Sequence, residues 1–168
     1  MRLDLSGKRV CVLGAAGMVG SAVVRRLASE GVGEILAPRR SELNLLSQER
    51  VHSWMHANRP DVVVIAAAKV GGIHANSTLP ADFLYENLAI AANTIHAAFE
   101  AKVTKLLFLG SSCIFPRAAA QPINEDALLT GPFEPTNEAY AVAKVAGIKL
   151  CQAYRQQHGA DFITCQPT

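Results

Sequence analysis

Tyr140 and Lys144 stand four residues apart in a segment without glycine or proline. On a helix this spacing places both side chains on one face. A free phenol and a free ammonium have pKa values of about 10 and 10.4, well above neutral pH. A fixed ammonium lowers the pKa of a nearby phenol, and proton transfer is most effective when that pKa lies near the working pH. The pair predicts an acid/base tyrosine tuned by Lys144, although chance pairs of this kind also occur on helices without a catalytic role.

A second pattern, near the N-terminus, combines a strand, a glycine turn and a helix. The apolar run 8–13 predicts a buried parallel strand, and glycines in G-x-x-G-x-x-G spacing follow it. Gly14 permits a tight turn, Gly17 lets the backbone approach a pyrophosphate, and Gly20 lets the helix pack close to the strand. The amino end of that helix attracts phosphate. The predicted backbone contacts to a dinucleotide are Gly14, Ala15, Ala16, Gly17, Met18, Val19 and Gly20. A glycine-rich turn without a ligand is the alternative.

The rest of the chain alternates between apolar runs and helical patterns. The runs that predict further strands are 34–37, 61–68, 105–110 and 161–165. The helical patterns are 47–58, with Ser47 as its N-cap, 80–102 and 137–158. We expect loops at 71–79, which is rich in small residues, and at 116–135, which contains four prolines. This alternation predicts an α/β fold with a doubly wound parallel sheet of the Rossmann type.

The carboxyl ends of the strands in such a sheet meet at one edge, where ligands bind. The glycine turn, the segment 66–69 and Ser111 to Cys113 all follow strands and meet there. Arg39 and Arg40 follow the second strand, where an acidic residue would bind the ribose of NAD and an arginine can bind the extra phosphate of NADP. The arginines therefore predict NADP(H), and two solvated surface arginines are the alternative.

Composition limits the classes of partner. The chain has 168 residues, enough for one domain, with 16 basic and 14 acidic residues. This balance gives no strong field toward nucleic acid or membrane, and we expect neither as a partner. The sequence has no apolar run long enough to span a bilayer. The first six residues lack the apolar core of a secretory signal, so we predict a cytoplasmic protein.

Cys11, Cys113, Cys151 and Cys165 form no C-x-x-C pair and have no histidine spacing suited to zinc. We predict reduced thiols and no metal site. Cys11 lies in a predicted strand and Cys151 on a predicted helix, so both are expected to be buried as small apolar residues.

Four segments carry a resemblance to a known family: 66–73, 110–116, 134–140 and 143–151. Together with the glycine turn and with Ser111, Tyr140 and Lys144, they make the chain resemble the extended short-chain dehydrogenase/reductase superfamily. Within that superfamily the chain resembles the GDP-L-fucose synthase family over nearly its whole length.

The resemblance implies a two-part reaction on a GDP-sugar. GDP-4-keto-6-deoxy-mannose is epimerised at C3 and C5, and hydride from NADPH then reduces the C4 ketone. Cys113 would be the acid/base of the epimerisation, and a small core residue is the alternative for it. Ser111 would donate a hydrogen bond to the C4 oxygen, where negative charge develops. Tyr140 would protonate the alkoxide, and Lys144 would hold the nicotinamide ribose.

The resemblance also implies cofactor contacts outside the glycine turn. They are Arg40, Leu109, Gly110, Ser111, Ser112, Lys144, Pro167 and Thr168. For Ser112 we expect either a backbone contact to the cofactor or a cap at the end of the strand. The family often has an arginine inside the glycine turn, where this chain has Ala15 and Ala16. Arg40 is therefore the main candidate for binding the NADP phosphate.

The chain ends about halfway through the usual length of that family. We expect residues 1–168 to form the NADP-binding domain alone, without a second domain for the substrate and without the histidine that the resemblance pairs with Cys113. The sheet would then end in an exposed edge strand, which favours association. The resemblance implies a homodimer built by the helices at 83–102 and 140–158. Two other functions stay open: another sugar-nucleotide epimerase or dehydratase, and a catalytically silent dinucleotide-binding module.

Overall fold

The structure is a computed structural model that describes residues 4–167. It contains five strands: β1 (Arg9–Leu13), β2 (Glu34–Leu36), β3 (Val62–Ile65), β4 (Lys105–Leu109) and β5 (Phe162–Cys165). Its helices are α1 (Met18–Ala28), α2 (Gln48–Asn58), α3 (Ile73–Thr78), α4 (Pro80–Glu100) and α5 (Glu138–His158). Three short 3₁₀ turns span Ser112–Ile114, Glu125–Ala127 and Pro135–Asn137.

All strands are parallel, in the order β2-β1-β3-β4-β5. The chain runs outward from β1 to β2 and then returns to the other side of β1 to form β3. The order therefore reverses between β1 and β3, and crevices for ligands open at such a reversal. The predicted doubly wound parallel sheet is confirmed.

The two faces of the sheet follow from the alternation of side chains along a strand. Val10 and Val12 of β1 pack with Leu27 of α1 on one face. Cys11 and Leu13 point to the opposite face, where the larger core contains buried side chains of α2, α4 and α5. Because both faces are covered, every residue of β3 is buried, as expected for a central parallel strand.

Element boundaries agree closely with the sequence prediction. The Ser47 hydroxyl accepts a hydrogen bond from the Arg50 amide at 3.3 Å, so the predicted cap of α2 is present. Two segments differ. β3 ends at Ile65, and residues 66–68 leave the sheet. The segment 71–79 was expected to be a loop but contains α3, in which the Asn76 amide donates to Gly71 O at 2.8 Å.

Within residues 4–167, β5 pairs only with β4 and forms one edge of the sheet. Among the same residues no helix has the length and apolar character needed to cross a membrane.

Candidate functional site

The glycine turn connects β1 to α1 by close backbone contacts. Gly14 has a φ of +85°, and a Cβ on it would lie 2.7 Å from the amide nitrogen of Ala67. The Gly17 amide donates to Gly14 O at 3.0 Å. A Cβ on Gly20 would lie 2.1 Å from Gly14 O. A side chain at Gly14 would therefore push the turn away from the segment after β3, and one at Gly20 would push α1 away from the turn, as the spacing of the glycines predicted.

α1 begins beside this turn with unpaired donors. Its N-cap is Gly17, which offers no side-chain cap, and its first turn has no acidic residue. The first amide groups of a helix have no partner within the helix. Met18 and Val19 of this first turn line the cavity described below, where such amides can bind a phosphate.

A cavity of about 950 Å³ opens between this turn and the ends of β2 and β3. Its glycine-turn wall consists of Gly14, Ala15, Ala16, Gly17, Met18 and Val19. The opposite walls are 38–40, 43–46 and 66–70, with Glu86 and Ile90 of α4. A cavity of this size and shape can hold much of a dinucleotide.

Arg40 lies on the rim of the cavity, as predicted, together with Arg39. Both are exposed. The Arg39 amide donates to the Glu42 carboxylate at 2.7 Å, and this contact fixes the turn after β2. No ion pair involving the Arg40 side chain occurs within residues 4–167.

The sequence prediction missed the segment 43–46 and Glu86 as parts of the cavity wall. The apolar residues of 43–46 could have indicated a buried segment, and Leu43 is buried immediately after the turn. Glu86 could not be found from the sequence, since its role depends on Lys69. The Lys69 ammonium lies 2.6 Å from Glu86 and 3.2 Å from Asp82. The hydrogen bond to Glu86 raises the pKa of Lys69, so this side chain stays charged at the cavity wall.

A second group of residues lies at the end of β4, the strand next to β3. Ser111 is the N-cap of the 3₁₀ turn Ser112–Ile114, and its hydroxyl accepts from the Cys113 amide at 3.4 Å. The capping role considered for Ser112 therefore belongs to Ser111. Cys113 is half-buried, so its side chain is not enclosed in the core as the alternative for it assumed.

Tyr140, in the first turn of α5, faces this group. Burial raises the pKa of Tyr140, hydrogen bonding by Ser111 lowers it, and the charge of a Cys113 thiolate raises it further. The net shift is upward, opposite to the prediction. α5 packs against the 3₁₀ turn Ser112–Ile114, so Ser111, Cys113 and Tyr140 lie in one space where these two elements meet. The phenol keeps its proton at neutral pH, but its pKa is not brought toward the working pH as the sequence predicted.

The position of the Lys144 ammonium explains why it does not lower the pKa of Tyr140 as predicted. The ammonium donates to Leu109 O at 2.8 Å and lies 5.8 Å from the centre of the Tyr140 ring. Only 4% of Lys144 is exposed, and burial lowers its own pKa to about 8. The helical spacing does place both side chains on one face, but the ammonium is directed to the strand end.

The predicted cofactor contacts thus fall into two places. The cavity wall contains the glycine turn and Arg40, while Gly20 lies behind the turn. Leu109, Gly110, Ser111, Ser112 and Lys144 lie at the end of β4 and do not line the cavity. Pro167 is exposed after β5, and Thr168 lies outside the described residues.

The predicted burial of Cys11 and Cys151 is confirmed. Cys11 and Cys151 are buried, and burial raises the pKa of each thiol to about 12. Cys165 is exposed at the end of β5. No group of three or more His, Cys, Asp or Glu side chains in residues 4–167 is arranged to hold a metal ion.

Comparison with known proteins shows a family and close relatives for this chain. Residues 10–168 match the NAD dependent epimerase/dehydratase family. GDP-L-fucose synthase of Sinorhizobium fredii is 60% identical over 164 residues, which cover 98% of this chain and 52% of the relative. GDP-L-fucose synthase of Escherichia coli is 54% identical and is covered to 51%. The chain spans about half the length of the curated relatives it matches.

Among solved structures, a GDP-mannoheptose C4 reductase from Campylobacter jejuni with NADP bound superposes with a TM-score of 0.93. It is 33% identical, and the match covers 98% of this chain and 52% of that protein. The likeness therefore includes the entire sheet and both groups of candidate site residues.

Proposed function

The chain belongs to the NAD dependent epimerase/dehydratase family, and from this membership we propose that it binds NADP(H) and carries the acid/base residues of a GDP-sugar epimerase/reductase. The substrate we propose is GDP-4-keto-6-deoxy-mannose, and the product is GDP-L-fucose. The relatives at 60% and 54% identity are GDP-L-fucose synthases, and this similarity supports the choice of substrate.

The described residues fit a dinucleotide cofactor. A Cβ at Gly14 would fill the space between the turn and Ala67, so the backbone itself forms the cavity wall. The uncapped amides of α1 supply donors for a pyrophosphate. Arg40 supplies a cation for a further phosphate, and the apolar segment 43–46 supplies a surface for an adenine ring. NADPH, when bound, supplies the hydride for reduction.

The residues at the end of β4 perform the proton transfers. In the epimerisation, the ketone at C4 acidifies the C–H bonds at C3 and C5. Cys113 acts on one face of the sugar, either removing a proton as a thiolate or returning one as a thiol, and a second acid/base, which the resemblance gives as a histidine, acts on the opposite face. Ser111 donates a hydrogen bond to the C4 oxygen, stabilising the enolate and then the alkoxide. Tyr140, whose pKa is raised by burial, is protonated at neutral pH and carries the proton needed at the C4 oxygen. It transfers that proton to the C4 oxygen as the alkoxide forms.

The observation that supports this proposal most is the shared space of Ser111, Cys113 and Tyr140 beside a glycine-turn cavity. The test is to mix the purified chain with NADPH and GDP-4-keto-6-deoxy-mannose, to follow loss of the reduced nicotinamide absorbance and to identify the product. Formation of GDP-L-fucose supports the proposal. Turnover to a different GDP-sugar would show another epimerase of the family.

A catalytically silent dinucleotide-binding module is the second candidate. It is favoured by one observation, namely that Ser111 and Lys144 at the end of β4 do not line the glycine-turn cavity. In the same experiment this module would bind NADPH, seen by nicotinamide fluorescence, without oxidising it. Absence of binding would contradict both candidates.

The Arg40→Ala variant tests the proposed cofactor preference. Charge-assisted hydrogen bonds contribute about 1.5–3 kcal/mol, so loss of this cation is expected to weaken NADPH binding by about 10- to 100-fold. NADH lacks the extra phosphate, and its affinity should change less than about threefold. Fluorescence titration with both cofactors measures the two effects.

Arg39→Ala is the matched control, since Arg39 also lies on the rim of the cavity. Its contact with Glu42 is made by the backbone amide, so the substitution leaves that contact in place. We expect a smaller loss of NADPH affinity than for Arg40→Ala. Equal losses for NADPH and NADH in the Arg40 variant would exclude recognition of the extra phosphate.

We also propose that the chain forms a homodimer through α4 and α5. These helices pack against each other, and each exposes an apolar side chain near its N-terminal end: Tyr85 is 69% exposed and Val142 is 40% exposed. Replacing Tyr85 by glutamate would place a charge at the centre of this interface, and the dimer should dissociate at micromolar concentrations. Sedimentation velocity measures the change, and a wild-type monomer would exclude the proposal.

A further inference from the structure

The segment 66–69 forms the wall of the cavity opposite α1, and both of its ends are anchored. At its start, the Ala66 amide donates to Leu13 O at 2.9 Å. Next to it, the backbone of Ala66 and Ala67 lies against Gly14. Since the chain leaves the sheet after this bond, the hydrogen-bond ladder of the sheet does not hold the other end of the segment at Lys69.

Asn87 of α4 holds that end. Its side-chain oxygen accepts from the Lys69 amide at 2.9 Å, and its side-chain nitrogen donates to Lys69 O at 3.0 Å. The same nitrogen donates to Phe83 O at 2.7 Å. The amide of Asn87 therefore pairs with both backbone groups of one residue, as a neighbouring strand would. Only 4% of Asn87 is exposed, so water cannot replace these bonds.

We propose that Asn87 is a positioning residue for the cofactor site, acting through the Lys69 backbone to fix the distance between the segment 66–69 and the glycine turn. The inference rests on the proposed binding of NADP(H) in this cavity. Asn87 does not line the cavity, so it acts on a cofactor only through the wall that it holds. An amide is needed because the Lys69 backbone presents one donor and one acceptor side by side.

The test compares Asn87→Leu with a matched control on the same helix. Leucine keeps the branching of asparagine but leaves Lys69 N and Lys69 O without partners. We expect its dissociation constant for NADPH to rise about tenfold or more. The control is Thr94→Val, which also removes a fully buried polar group, but one whose hydroxyl bonds Ile90 O within the helix. Its NADPH affinity should stay within about twofold of the wild type.

Hydrogen exchange provides a readout that does not depend on the cofactor. The Lys69 amide should exchange faster in Asn87→Leu than in the wild type or in Thr94→Val, at a temperature where all three are folded. If Asn87→Leu does not fold, Asn87→Asp replaces it. Aspartate keeps the acceptor for Lys69 N and loses the donor to Lys69 O, so we expect a weaker NADPH affinity with a protected Lys69 amide.

The outcomes separate the two proposals. If the wild type does not bind NADPH, the proposed cofactor site is wrong, and the exchange rate of Lys69 alone decides whether Asn87 holds the segment. If the wild type binds and Asn87→Leu binds equally well with a protected Lys69 amide, the positioning role is overturned. A lowered melting temperature with unchanged NADPH affinity would also overturn it, since the role would then be structural only.

Discussion

Gly14→Ala is expected to abolish NADPH binding and to lower the free energy of unfolding by about 3 kcal/mol. Two costs add. A residue with a side chain at a φ of +85° is strained, which costs about 1 kcal/mol or more. Its Cβ would also lie 2.7 Å from the Ala67 amide and 2.8 Å from the Ala66 backbone, and backbone atoms cannot rotate aside as a side chain can.

Gly31→Ala is the matched control, because this variant has the backbone strain of a positive φ but no steric clash of the new Cβ. Gly31 has a φ of +68°, and nothing lies within 4 Å of a Cβ built on it. We expect a loss of about 1 kcal/mol and unchanged NADPH affinity. Urea unfolding and fluorescence titration of both variants provide the comparison. Equal losses of stability in the two variants would show that the contact between the turn and the segment 66–67 does not matter.

Lys144→Met is expected to make the protein more stable at pH 7 while reducing the proposed turnover by about 100-fold or more. Burial lowers the pKa of Lys144 from 10.5 to about 8, which corresponds to a cost of about 3 kcal/mol for the charged form. Methionine removes that cost and loses the hydrogen bond to Leu109 O, worth about 1 kcal/mol. The net gain in the free energy of unfolding is about 2 kcal/mol.

This gain depends on pH in a defined direction. The pKa of Lys144 is lower in the folded state than in the unfolded state, so between pH 8 and 10.5 the unfolded chain binds more protons. Stability from this group therefore rises with pH across that window and is lowest below it. The advantage of Lys144→Met should be full at pH 7 and should shrink as the pH approaches 10.

Lys149→Met on the same helix is the control, since Lys149 is exposed. We expect no pH-dependent difference from the wild type for it. Thermal unfolding at pH 7, 8.5 and 10 measures all three proteins. A Lys144→Met variant less stable than the wild type at pH 7 would mean that the bond to Leu109 O outweighs the cost of burying the charge.

The sequence by itself determined the sheet and the glycine turn. Apolar runs of four to eight residues alternating with helical patterns allow few arrangements other than a parallel sheet between helices. The spacing of Gly14, Gly17 and Gly20 specified a turn with close backbone contacts, because these contacts lie within one continuous strand-turn-helix segment. The shared face of Tyr140 and Lys144 followed in the same way from the geometry of a single helix.

Only the tertiary structure decided what depends on residues distant in the sequence. The direction of the pKa shift of Tyr140 depends on how deeply the phenol is buried and on Leu109 O, which binds the Lys144 ammonium. The hydrogen bond from the Lys69 amide to the Asn87 side chain joins residues that lie 18 positions apart in the sequence. Local periodicity reports which face of an element is apolar. Hydrogen-bond partners and burial are set by packing between elements, and sequence spacing within one element does not encode them.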